Sequence, residues 1–182
     1  MSYKDFDVSK SEILPGVVIV KPSVSVDLRG NIFTSYNHDF YTEFFEKELN
    51  FKHDKFAESR QNVVRGLHGD TKTWTLVSCV FGEIYEVVVD MRPDSPAYLK
   101  WDGWWLKSEE YRQVLIPPGF INGYYVKSEK AVFHYKLAYD GEYIDAGEQL
   151  TVGWNDERLG IKWPCTDPIL QARDKYFKIQ DS

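Results

Sequence analysis

Along the chain, short runs rich in β-branched and aromatic residues alternate with turn signals. They cover Val17 to Val20, Ile32 to Tyr36, Trp74 to Phe81, Ile84 to Asp90, Tyr98 to Leu106, Gln113 to Ile116, Tyr124 to Val126 and Ala131 to Ala138. Such residues suit a pleated, half-buried surface. Between them lie Arg29-Gly30-Asn31, Phe81-Gly82-Glu83, Arg92-Pro93-Asp94 and Pro117-Pro118-Gly119, sequences that reverse a chain. Many short strands at this spacing predict a sandwich or barrel. Helical periodicity interrupts them once: Phe40, Tyr41, Phe44, Phe45 and Leu49 fall on one face, with Asp39 as N-cap. A weaker helical pattern covers Leu170 to Phe177. With no internal repeat or linker, the pattern predicts one domain over residues 1–182, an all-β barrel with short peripheral helices.

Composition sharpens this picture. Tryptophan, tyrosine and phenylalanine make up 16% of the 182 residues, which reinforces β structure. The 22 basic residues are outnumbered by 28 acidic ones, so an extended basic face for nucleic acid is not expected. The longest apolar run, around Val87 to Val89, is far short of the ~18 residues that span a bilayer. The amino terminus (Met1, Lys4, Asp5, Asp7) has no apolar signal core. The expectation is therefore a cytoplasmic protein with no membrane partner. Two distant cysteines, Cys79 and Cys165, do not make a disulfide framework and read as buried or half-buried thiols.

Four histidines (His38, His53, His68, His134), no His-x-His and no serine nucleophile elbow leave hydrolytic and metal chemistry poorly supplied. No metal and no cofactor is expected. The most informative stretch is Val63-Val64-Arg65-Gly66-Leu67-His68-Gly69-Asp70. An apolar strand delivers Arg65 and His68, and Gly69-Asp70 turns the chain, which puts His68 near a barrel mouth. On its own, such a histidine is better explained by a structural hydrogen bond.

Several motifs together go further. Asp27-Leu28-Arg29-Gly30, Arg65-Gly66-Leu67-His68, Ile116-Pro117-Pro118-Gly119-Phe120, Tyr135-Lys136, and Trp154-Asn155-Asp156 followed by Gly160-Ile161 and Trp163-Pro164 occur in this order. From about Gly16 to Asp174 the chain resembles the nucleotide-sugar 3,5-epimerases typified by dTDP-4-dehydrorhamnose 3,5-epimerase. The resemblance implies a cupin-type jelly roll, a homodimer, no metal, and a nucleotide-diphosphate sugar as substrate. It assigns His68 as base, Tyr135 as acid and Asp174 as the carboxylate that orients the histidine. The chemistry needs two groups, because a 4-keto group acidifies the hydrogens at C3 and C5 and inversion takes a proton from one face and returns one to the other. Arg65 and Arg29 resemble positions that contact the substrate and its diphosphate, for which a guanidinium fork is suited. Ser59, Arg60 and Lys72 are further candidates for binding by position. In the family the diphosphate site also draws on the partner subunit.

The chain departs from the rhamnose-pathway pattern in four places. Asn122 stands in place of a histidine, Thr75 in place of a lysine, and His68-Gly69-Asp70 in place of His-Tyr-Gln, while the stretch Tyr139 to Ala146 is longer. An amide at Asn122 can still donate to an enolate oxygen and is counted among the substrate-binding residues. The departures resemble a branch acting on GDP-linked 4-keto-heptoses in capsule pathways. Two other functions use the same fold: a ketoisomerase or dehydratase on a similar nucleotide sugar, and a sugar-binding cupin without catalysis. Tyr135 favours the epimerase.

Overall fold

The computed structural model describes residues 5–45 and 49–176. Its strands are β1 (Phe6–Lys10), β2 (Val18–Pro22), β3 (Val24–Asp27), β4 (Gly30–Phe33), β5 (Phe51–Arg60), β6 (Val64–Gly69), β7 (Trp74–Phe81), β8 (Glu83–Asp90), β9 (Trp101–Lys107), β10 (Gln113–Ile116), β11 (Phe120–Val126), β12 (Lys130–Ala138) and β13 (Leu150–Thr151). Two short helices, α1 (His38–Thr42) and α2 (Ala172–Tyr176), flank them. The strands form a six-stranded sheet in the order β1-β2-β10-β7-β12-β5 and a five-stranded sheet in the order β13-β6-β11-β8-β9. β3 and β4 make a separate hairpin. Every pairing within the sheets is antiparallel, with sequence neighbours often in different sheets, as in a jelly roll.

The apolar residues divide by face. Val77, Ile84, Val88, Val114, Phe120, Tyr124 and Phe133 meet between the sheets. Leu67, Val87, Val89 and Ile121 point outward from the five-stranded sheet and are covered by Val152, Leu159 and Trp163. Val18, Val20, Leu76 and Leu115 do the same on the six-stranded sheet, under Tyr41 and Phe40 of α1. Burying each such aliphatic side chain contributes about 1.5–3 kcal/mol before entropy is counted. One apolar layer therefore joins the two sheets, and a further layer covers the outer face of each.

The structure moves several predicted boundaries. The N-cap of α1 is Asn37, whose Oδ1 accepts from Phe40 N at 3.0 Å, and Asp39 lies inside the first turn. That helix ends at Thr42; within it Phe40 stacks on Phe6, and beyond it Phe45 packs on Phe51 and Trp74. Leu49 is buried outside any helix, and residues 46–48 lie outside the described residues. Tyr98 to Lys100 form a turn, not a strand, with Leu99 at a positive φ of 61°. The second helical pattern shortens to α2, and Phe177 lies outside the described residues. Cys79 is buried and Cys165 half-buried, both as free thiols. Among the described residues, no helix is long and apolar enough to cross a membrane.

Candidate active site

β6 and β11 are paired neighbours in the five-stranded sheet, and their backbones approach closely at Gly66 and Gly123. A Cβ on Gly66 would stand 2.4 Å from the Gly123 Cα, so glycine is required for the contact; its φ of +119° also suits glycine. The register shifts between Asn122 and Tyr124 on β11, a bulge of the kind that re-aims side chains beside a site. His68 is opposite Asn122 in this pairing. Asp70, buried just beyond, accepts from the backbone N–H groups of Lys72 and Thr73 at 2.8 and 2.7 Å and fixes the turn after β6.

A pocket of about 280 Å³ opens between the sheets. Arg65, His68 and Asn122 line it from the five-stranded sheet, and Thr75 and Tyr135 from the six-stranded one. The His68 Nε2 stands 2.9 Å from the Asp174 Oδ1, an ion-pair distance without the alignment of a formal hydrogen bond. Asp174 is fully buried in α2, and its backbone carbonyl accepts from Trp154 N at 3.1 Å. This joins the Trp154 motif to the site: the segment that covers the outer face of the five-stranded sheet also holds the helix carrying the carboxylate.

The substrate-binding candidates separate into two groups. Arg65 Nε donates to Ser59 Oγ at 2.9 Å, so these two lie together. Tyr124 Oη is 3.3 Å from the same serine oxygen, and burial pushes its phenol up to about 12. Ser59, Arg60, Lys72 and Arg29 are not themselves among the lining residues. Arg60 is exposed at the end of β5. Lys72 donates to the Glu142 carbonyl at 2.6 Å, which ties it to the Tyr139 to Ala146 segment. Arg29 sits at the tip of the β3–β4 hairpin, paired with Asp27 at 2.5 Å and nearly fully exposed.

Several residues join the site that sequence reasoning passed over. Arg173 lines the pocket beside Gln149 and Thr151, donating to them at 3.0 and 3.1 Å. Its position next to Asp174 in sequence was the available signal. Tyr143 also lines the pocket, and its Oη accepts from Lys55 Nζ at 3.0 Å. Burial works against the Lys55 ammonium, but the bond to Tyr143 and the facing phenols hold it above the ordinary lysine value. Lys55 is the cross-strand neighbour of Tyr135, a pairing visible only once β5 is known. Among the described residues, no group of three or more His, Cys, Asp or Glu side chains could hold a metal ion.

Comparison with known proteins agrees with this geometry. Residues 11–181 match the family model for dTDP-4-dehydrorhamnose 3,5-epimerase. The chain is 39% identical over 172 residues to the dTDP-4-dehydrorhamnose 3,5-epimerase of Salmonella typhimurium, covering 92% of each chain. It is 32% identical over 168 residues to the dTDP-4-dehydrorhamnose 3-epimerase of Streptomyces niveus, covering 89% of this chain and 78% of that protein. Among solved structures, the dTDP-6-deoxy-D-glucose-3,5-epimerase of Legionella pneumophila, in complex with dTDP-4-keto-L-rhamnose, superposes with a TM-score of 0.86 at 31% identity. That superposition covers 93% of this chain and 90% of the other.

Proposed function

The chain belongs to the dTDP-4-dehydrorhamnose 3,5-epimerase family, and from that premise we propose that its pocket inverts C3, C5 or both in a nucleotide-linked 4-keto sugar. One observation carries the reading. A histidine backed by a buried carboxylate and a tyrosine line the same pocket from opposite sheets, the arrangement that opposite-face proton transfer needs. His68 takes the proton alpha to the keto group, and the Asp174 carboxylate stabilises the imidazolium that forms. Negative charge moves to the C4 oxygen of the enolate. Tyr135 then delivers a proton to the other face, and both groups return to their starting states by exchange with water. Arg65 and Arg173 are the guanidinium groups at hand for the diphosphate oxygens.

The names of the relatives favour a dTDP-linked 6-deoxy sugar. A second reading, a GDP-4-keto-heptose, is favoured by two lining positions: Thr75 and Asn122 are shorter than lysine and histidine and leave room for a longer C5 substituent. Steady-state turnover on dTDP-linked 4-keto-6-deoxyhexoses against GDP-linked 4-keto-heptoses separates the two. A kcat/KM advantage of tenfold or more for either substrate decides for it, and equal values contradict both assignments of specificity.

The mechanism uses protein side chains for every proton transfer to and from carbon. Exhaustive dialysis against a strong chelator is expected to leave turnover unchanged, and a loss restored by a divalent ion would contradict the mechanism.

The hairpin argues for a homodimer. Val26, Leu28 and Ile32 are exposed on it, an apolar surface that a second copy would cover. The same docking would carry Arg29 toward the partner's diphosphate, as family resemblance implies. Analytical ultracentrifugation is expected to give twice the mass of one chain, and Arg29→Ala to raise KM several-fold with kcat little changed. A monomer whose KM ignores Arg29 would contradict this.

A further inference from the structure

Beneath the pocket lies a carboxyl group that the mechanism above leaves unused. Glu86 of β8 is fully buried, with Tyr124 opposite it on β11 and Trp104 on β9. Among the described residues no cation pairs with it, and its side chain's hydrogen bond is to Asn122, whose Nδ2 donates to Glu86 Oε1 at 2.7 Å. The other oxygen, Oε2, has no hydrogen-bond partner among the described residues. Glu86 itself does not line the pocket, whereas Asn122 does.

The amide nitrogen of asparagine carries two hydrogens. One is engaged by Glu86, which fixes the side chain with its nitrogen held between the buried acid and the pocket and leaves the second N–H for a ligand. Resting on the epimerase reading, we propose that Glu86 is a positioning residue that anchors Asn122 so that its free amide hydrogen donates to the C4 oxygen of the sugar as the enolate forms. Without the anchor, the amide can turn its carbonyl to the same place, where it would repel the developing charge.

The charge state of Glu86 is consistent with this task. Burial pushes its carboxyl well above the ordinary value, with only the Asn122 bond acting in the opposite sense, which favours the un-ionised acid. A carboxylate there would set a negative charge behind the donor and oppose the enolate; a neutral acid supplies an acceptor without that cost. The pairing also accounts for Asn122 itself. A histidine at this position would offer Glu86 a cation and draw it into an ion pair, whereas an amide brings no charge to it.

Two variants separate positioning from mere filling of the core. Glu86→Met has a similar volume and removes an incompletely bonded polar group, so folding stability should hold or rise. Turnover should nevertheless fall by about 10², the scale of losing one oxyanion donor, with KM within a few-fold. Glu86→Gln, which keeps a neutral acceptor, should restore kcat to within a few-fold of the unmodified protein. Equal turnover in the two variants, fast or slow, would overturn the proposal: equally fast means that no anchor is needed, equally slow that a negative charge is. Infrared difference spectra of the wild type against Glu86→Gln provide a measurement independent of turnover and of whether Glu86→Met folds. The carbonyl stretch of an un-ionised carboxylic acid is expected at neutral pH, and a carboxylate signature in its place would also overturn the proposal. A wild-type protein that exchanges no carbon-bound hydrogen in any 4-keto nucleotide sugar would sink the epimerase reading instead, while the infrared result still decides whether Glu86 is neutral.

Discussion

His68→Asn is expected to incorporate no solvent deuterium at C3 or C5 and to form no epimer. A general base contributes about 10²–10⁴ in rate, and asparagine cannot take up a proton at the same place. No other imidazole lines the pocket to replace it. His53 packs against Tyr139 and Tyr143. His134 alternates with Tyr135 on β12 and so faces away, where it meets Asp54 and stacks on Phe56. His38 opens α1. The side chain of His68 is about one-fifth exposed, so the variant should fold, which thermal melting verifies. Near-normal turnover in the folded variant would refute the base assignment.

Tyr135→Phe should separate exchange from inversion. His68 still removes the proton and forms the enolate, and the proton it holds can wash out against solvent and return to the same face. In deuterated water the variant is expected to return labelled substrate with its configuration retained, while product formation falls by about 10² or more. Two other phenols line the pocket, and both are engaged elsewhere: Tyr124 is buried, bonded to Ser59 and pushed up to about 12, and Tyr143 accepts from Lys55 Nζ. The measurement is carbon-resolved NMR of recovered sugar nucleotide. Exchange and inversion lost in equal measure would mean that Tyr135 positions the sugar or stabilises the enolate, and that the acid lies elsewhere.

How far these residues could be read in advance depended on what fixed their positions. The strands of the barrel interior were legible because one or both faces are apolar, as in β7, β8, β10 and β12. β5 was not legible, although it is ten residues long. It is an edge strand whose exposed positions carry Lys52, Asp54, Phe56, Glu58 and Arg60, and its inward positions include His53, Lys55 and Ser59, so apolar alternation is absent. With β5 unseen, the placement of Lys55 beside Tyr135 could not be foreseen. Nor could the distribution of the cations. Arg29, Arg60, Arg65 and Lys72 look alike as basic residues near motifs, yet only Arg65 lines the pocket of its own chain, because strand register and the hairpin's departure from the barrel decide the matter. The His68 and Asp174 partnership came from resemblance alone. Their sequence separation says nothing of a contact that depends on α2 docking against β6. The Asn122 substitution was visible in the sequence, but its partner Glu86 sat unremarked in an apolar run.

A pocket that makes and quenches an enolate of a nucleotide-linked 4-keto sugar must exchange carbon-bound hydrogen with solvent. The decisive measurement incubates the wild-type protein in deuterated water with dTDP- and GDP-linked 4-keto sugars and follows each ring carbon by NMR. Solvent deuterium is expected at C3, C5 or both, appearing together with the inverted configuration at the labelled carbon. Binding with no label at any carbon would make the protein a sugar-binding cupin. Label accompanied by a shifted carbonyl or by loss of water would make it a ketoisomerase or dehydratase, and either result would contradict the epimerase mechanism.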